Sequence, residues 1–154
     1  DKAVSFIADT KQVDPERPFY LHLCFGATHA PHHVAKEWAD QYTGVFDDGW
    51  DAYREKTFAR QKELGIAPSD AELSRPDPDV PDWDSQPEPA RRLYSRFMEV
   101  FAGFLSHTDH QIGRLLEFLT KLGELDNTLI ILVSDNGASL DVSEIGFTFI
   151  RGSP

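Results

Sequence analysis

Two runs of the chain are apolar at nearly every position rather than on one face: FYLHLCF at 19–25 and TLIILV at 128–133. Their length and flanking breakers predict strands buried on both sides, hence a parallel or mixed sheet. Between them the pattern turns helical. Apolar residues recur at 93, 97, 101, 104, 105, 112, 116, 119 and 122, up to Gly123. That spacing predicts one long helix over 88–122 with Gly123 just past its end. Ser85 and Glu88 stand three apart before it and fit a capping box. Shorter helices are predicted over 35–42 and 50–65, the second ending at Gly65, and a short helix or helix end over 2–9. DPERP at 14–18, GATHAPHH at 26–33 and GVFDDG at 44–49 read as breaks. Residues 67–89 carry Pro68, Pro76, Pro78, Pro81, Pro87 and Pro89 among many acids, an excursion without regular structure. The order of strand, helices, long helix and strand predicts an α/β unit with a crossover connection.

This order places chemistry. In open α/β sheets the ligand sits beyond the carboxyl ends of the strands. His29 follows the first run closely, and Asp135 and Asn136 follow the second at once. If the two strands are parallel neighbours, all three reach one sheet edge. Asp135 and Asn136 offer hard oxygen donors, which suit Ca²⁺ or Mg²⁺ better than zinc. Gly137 lets the backbone turn after them. The alternative is that Asp-Asn-Gly is only a tight turn. His29 lies in HAPHH, where Pro31 stiffens the loop. A histidine there is placed to hold an anion or to protonate a leaving group. His32 and His33 have a weaker claim. HTDH at 107–110 has the look of metal-ligand spacing but falls inside the long helix, with Asp109 near the apolar stripe, which favours a structural hydrogen bond to a neighbouring loop.

Composition narrows the classes. A chain of 154 residues, 40% hydrophobic, has room for one domain with a core. A net charge of -11 argues against nucleic acid or an anionic membrane as partner. No apolar stretch reaches the roughly 20 residues of a membrane span. The single cysteine, Cys24, has no internal disulfide partner and lies in an apolar run, so a buried, inert thiol is expected. The chain starts at Asp1 rather than Met, which suggests a piece of something longer and leaves its localisation open.

Three segments carry a family resemblance: PFYLHLCFGATHAPHH, then ADQYTGVFDDGWDAYREKTFARQKELG, then HTDHQIGRLLEFLTKLGELDNTLIILVSDNG. Together they resemble the middle of a bacterial arylsulfatase, of the alkaline-phosphatase-like superfamily. The last is the most specific, since it joins a helix, GELDNT, an apolar run and SDNG. The resemblance covers 1–139 as the middle portion of a sulfatase catalytic domain, with a helical and Pro-rich insert at about 43–89. It leaves 140–154 as a tail of unclear origin.

The resemblance implies an α/β fold, part of a sulfatase sheet sandwiched by helices and incomplete here. It implies hydrolysis of a small-molecule sulfate ester by a formylglycine nucleophile, with one Ca²⁺ polarising the sulfate oxygens. By position it implies that Asp135 and Asn136 are metal ligands and that His29 contacts the sulfate and assists the leaving group. The chain holds no C-x-P-S-R-type motif to supply formylglycine, and the family's amino-terminal acidic ligands and active-site lysines are absent. The 154 residues are therefore expected to be inactive alone, to bind Ca²⁺ weakly or not at all, and to self-associate through uncovered strands. Two other readings stay open: a related metal-dependent phosphodiesterase or phosphonate hydrolase, and a non-catalytic interaction module in which Asp-Asn-Gly is only a turn.

Overall fold

The structure is a computed structural model that describes residues 1–134. Asp135, Asn136, Gly137 and the tail 140–154 lie outside the described residues. Four α-helices carry the architecture: α1 (Lys2–Val13), α2 (Lys36–Asp40), α3 (Gly49–Glu63) and α4 (Glu88–Leu122). Two short 3-10 turns, Trp83–Ser85 and Leu125–Asn127, flank α4.

The α/β expectation is overturned. No strand occurs among the described residues, and the fold they form is helical. Both 19–25 and 128–133 run without helix or ladder. A helix closes its hydrogen bonds within its own segment, whereas a strand borrows every one from a neighbour. Neither run finds such a neighbour among residues 1–134. They are also not buried: Tyr20 is 84% exposed and Leu129 86%. Cys24, expected inside, is exposed as well, with its sulfur 3.3 Å from His22 Nε2.

The helices follow local signals. α4 begins at Glu88 behind Pro87, with Pro89 in its first turn, where a missing N–H costs nothing. It ends on Gly123 at φ 77°, left-handed backbone that glycine adopts freely. The capping box does not form. Ser85 closes the preceding 3-10 turn instead, its Oγ donating to Asp82 O at 2.6 Å. α1 is longer than the pattern suggested, running on to Val13.

The buried face of α4 is not its apolar stripe. Leu93, Phe97, Leu105 and Leu122 are exposed, and of the predicted stripe only Leu119 is fully buried. What is covered is a polar, small-residue seam of Ser95, Glu99 and Gly103. α2 crosses α4 there. A Cβ on Gly103 would stand 2.7 Å from Ala39 N, so only glycine permits the approach. Glu99 is 6% exposed yet satisfied: it accepts from Gly44 N at 2.9 Å and from Arg96 Nη1 at 2.7 Å. Arg96 reaches on to Asp40 at 2.9 Å, tying α2 down. Trp38 lies against both His107 and His110, each ring centroid 5.3 Å away. HTDH thus has a structural place, but by ring packing against α2 rather than by the expected hydrogen bond to a loop, and Asp109 is exposed.

The excursion over 67–89 is strapped along α3. Arg54 grips Ser74, and Lys62 donates to Ser69 O at 3.0 Å. Trp83 then drops onto Gly49, where a Cβ would stand 2.1 Å from its ring. At the other end of the molecule, α1 is pinned by Asp1–Arg114 at 2.8 Å and Lys11–Glu124 at 2.8 Å. Those pairings run α1 parallel to the last turns of α4 and bring Ile7 and Leu119, both buried, to similar heights. Among the described residues no helix is long and apolar enough to cross a membrane.

Candidate functional site

The described part of the candidate site is the loop 26–33 and the run that leads to Ser134. The loop leaves the extended segment at Gly26, whose carbonyl accepts from His29 N at 2.9 Å. This closes a turn that projects the His29 side chain outward, where it is exposed. Its Nδ1 lies 2.6 Å from Ala30 O. A carbonyl can only accept, so this contact places a proton on Nδ1. The opposite nitrogen, Nε2, is then an acceptor in neutral imidazole and a donor in imidazolium. That is the arrangement a side chain needs to hold an oxyanion or pass a proton to a departing oxygen.

His32, ranked below His29 by sequence position, is what fastens the loop. Its Nε2 is 3.0 Å from Thr28 O. Its ring stands edge-on to Phe101 at 5.3 Å and tilted to Phe104 at 6.2 Å. The two phenylalanines are three apart on α4, so they form one shelf. The sequence signal was that aromatic pair on a helix, facing a loop rich in histidine.

The second segment leaves α4 through the turn Leu125–Asn127, where Thr128 Oγ1 donates to Glu124 O at 2.7 Å. Residues 129–134 continue from there, exposed. Both site-bearing segments thus hang from α4, at different heights. Asp135 and Asn136 lie beyond the described residues, so the structure places His29 alone of the three. Among the described residues, no group of three or more His, Cys, Asp or Glu side chains is arranged to hold a metal ion.

A family model described as Sulfatase matches residues 1–151. The chain belongs to the sulfatase family. It is 34% identical over 143 residues to an uncharacterized sulfatase of Schizosaccharomyces pombe, covering 92% of this chain and 26% of that protein. It is 32% identical over 130 residues to an arylsulfatase of Klebsiella aerogenes, covering 84% of this chain and 28% of that protein. A further match joins it to an N-acetylglucosamine-6-O-sulfatase of Bacteroides thetaiotaomicron, 46% identical over 44 residues, 29% of this chain and 8% of that protein. The chain spans about a quarter of the length of the first two relatives.

Proposed function

We propose that this chain supplies part of the active site of a hydrolase of sulfate monoesters, aryl sulfates among them. The observation that carries the reading is the family match over 1–151 with an outward-facing imidazole on the loop at 26–33. In this reading His29 holds the sulfate and donates a proton to the leaving oxygen. Its Nδ1 contact to Ala30 O orients the ring for that work. Asp135 and Asn136 are two oxygen ligands of a Ca²⁺ ion, which when bound polarises the sulfate oxygens. Two donors fit a hard cation in kind but fall short of the roughly six to eight oxygens that Ca²⁺ takes. The 154-residue chain is therefore a weak Ca²⁺ binder at best. Without a C-x-P-S-R-type sequence it also has no formylglycine nucleophile, so it is inactive alone. We further propose that the bare apolar runs at 19–25 and 129–133 drive self-association of this chain.

A chimera tests the reading directly. Residues 1–139 replace the matched stretch of the Klebsiella aerogenes arylsulfatase. The expected result is aryl sulfate turnover that falls by about 10²–10⁴-fold in His29→Ala, the usual contribution of a positioned acid. A folded, active chimera indifferent to His29→Ala would remove His29 from the mechanism. Turnover of a phosphodiester in place of a sulfate ester would move the protein to the related phosphodiesterases.

A further inference from the structure

Between α3 and α4 lies a partly open pocket that the sulfatase reading does not use. Phe46, Trp50, Tyr53, Trp83, Tyr94 and Met98 wall a space of about 100 Å³. Its rings are set at angles rather than collapsed on one another. Trp50 and Trp83 meet edge to face with centroids 4.7 Å apart, and Phe46 meets Tyr53 the same way at 5.2 Å. Tyr94 closes a third side, 5.6 Å from Trp50.

Two features set what this space takes. The first is that two polar groups of the wall bond to the protein itself. Trp50 Nε1 donates to Pro81 O at 3.1 Å, and Ser95 Oγ donates to Phe46 O at 3.2 Å. Among the described lining residues none carries a charge. A water molecule needs two to four polar partners, so such a cavity gives it poor lodging. The second is that the walls are held in place. Trp83 seats on the bare Cα of Gly49, and its backbone N–H donates to Asp51 Oδ2 at 2.9 Å. A cavity of about 150 Å³ lined by apolar side chains stays dry and admits benzene. This one is smaller but open on one side, so a single ring can enter with part of its edge left outside. Angled aromatic walls present both faces and edges to such a guest.

We propose that this pocket is a binding site for a neutral, single-ring aromatic molecule. The site is built by the insert and α4, and it stands or falls independently of the sulfatase assignment.

The test is nuclear Overhauser contact between benzene and the 154-residue chain, with phenyl sulfate as the charged comparison. Benzene is expected to give saturable contacts to the Trp50 and Trp83 indole protons and the Met98 methyl group. Phenyl sulfate is expected to give none there, because no described wall residue is cationic. Met98→Trp fills the space and is expected to abolish the benzene contacts while Trp50 and Trp83 keep their mutual ones. Met98→Phe, a smaller filler, serves if the first variant does not fold. Absence of contacts in the unmodified chain at the solubility limit of benzene would overturn the proposal. So would contacts that persist unchanged in a folded, filled variant, or phenyl sulfate binding as tightly as benzene.

Discussion

One flank of α4 is covered by polar and small residues, whereas the longest apolar runs of the chain lie bare. On the covered side Ser95, Glu99 and Gly103 are buried, met in turn by Phe46, Gly44 and the backbone of α2. On the bare side Leu129, Ile131, Leu132 and Val133 are each more than 70% exposed. Hydropathy alone would have reversed this. What decides burial is whether a partner segment is available, and the seam supplies shape and hydrogen bonds where the apolar runs supply only surface. Glycine lets backbones meet, and a buried carboxylate is tolerable once Arg96 and Gly44 N satisfy it.

The strongest break in the comparison is at Trp83, the largest side chain on the covered side. It is 6% exposed and bears on Gly49, Trp50 and Tyr94. Trp83→Ala is expected to cost about 3–5 kcal/mol in urea unfolding. Gly49→Ala attacks the same contact from beneath. Its φ of 82° costs a Cβ about 1–2 kcal/mol by itself, before the clash with the indole. A loss below about 1 kcal/mol for both would mean that Trp83 is not seated on Gly49.

Next in size is the crossing of α2 over Gly103. A methyl group there meets Ala39 and Trp38 backbone at 2.7 Å, and backbone cannot swing aside as a side chain can. Gly103→Ala is expected to cost about 1–3 kcal/mol. It should also change the environment of Trp38, which His107 and His110 flank. Unchanged Trp38 fluorescence in the variant would place the crossing elsewhere.

The bare side answers to a different measurement. Exposed residues contribute little to the fold they sit on, usually within ±0.5 kcal/mol on substitution. Leu129→Lys combined with Ile131→Lys should therefore leave the urea midpoint unchanged. The same pair should shift light scattering from a self-associated form toward the monomer, since it interrupts an apolar run with charge. A monomer in the unmodified chain at all dilutions would remove self-association from the account.

These contrasts explain what was legible in the sequence. The bounds of α4 and the glycine stops at 65 and 123 were readable because a helix and its cap are local. Both glycines take positive φ, as a C′ residue does. The runs at 19–25 and 128–133 were readable as apolar but not as to their state, because a strand depends on segments far away in the chain. His29 was singled out as a candidate by its place after an apolar run. His32 was underrated because its value lies in Phe101 and Phe104, about 70 residues onward. The covered seam was missed because a Ser-Glu-Gly spacing on a helix looks like solvent face until Arg96, Asp40 and Gly44 are seen around it.

The smallest effect expected is that of acid on the ion pairs of Asp40 in α2 and of Glu124 just past α4. Asp40, on the covered side, has its carboxyl held below the ordinary range, first by a hydrogen bond from Lys36 and then by Arg96. Glu124, at the foot of the bare run, is lowered chiefly by its hydrogen bond from Lys11. A carboxyl with a depressed pKa in the folded state binds protons more readily when unfolded. The stability it contributes is present above its unfolded pKa of about 4 and is lost as pH falls through the lower folded value. Urea midpoints should thus fall between about pH 5 and pH 3, modestly where the pair is open to solvent, as Lys36–Asp40 is. Added salt should shrink the fall. Lys11→Met and Lys36→Met remove the two partners separately. Lys11 is the more enclosed, with 9% of its side chain exposed against 80% for Lys36, so Lys11→Met should flatten the acid limb more. A midpoint that rises on acidification would reverse the sign. Equal flattening by both variants would mean that the enclosure of Lys11 adds nothing.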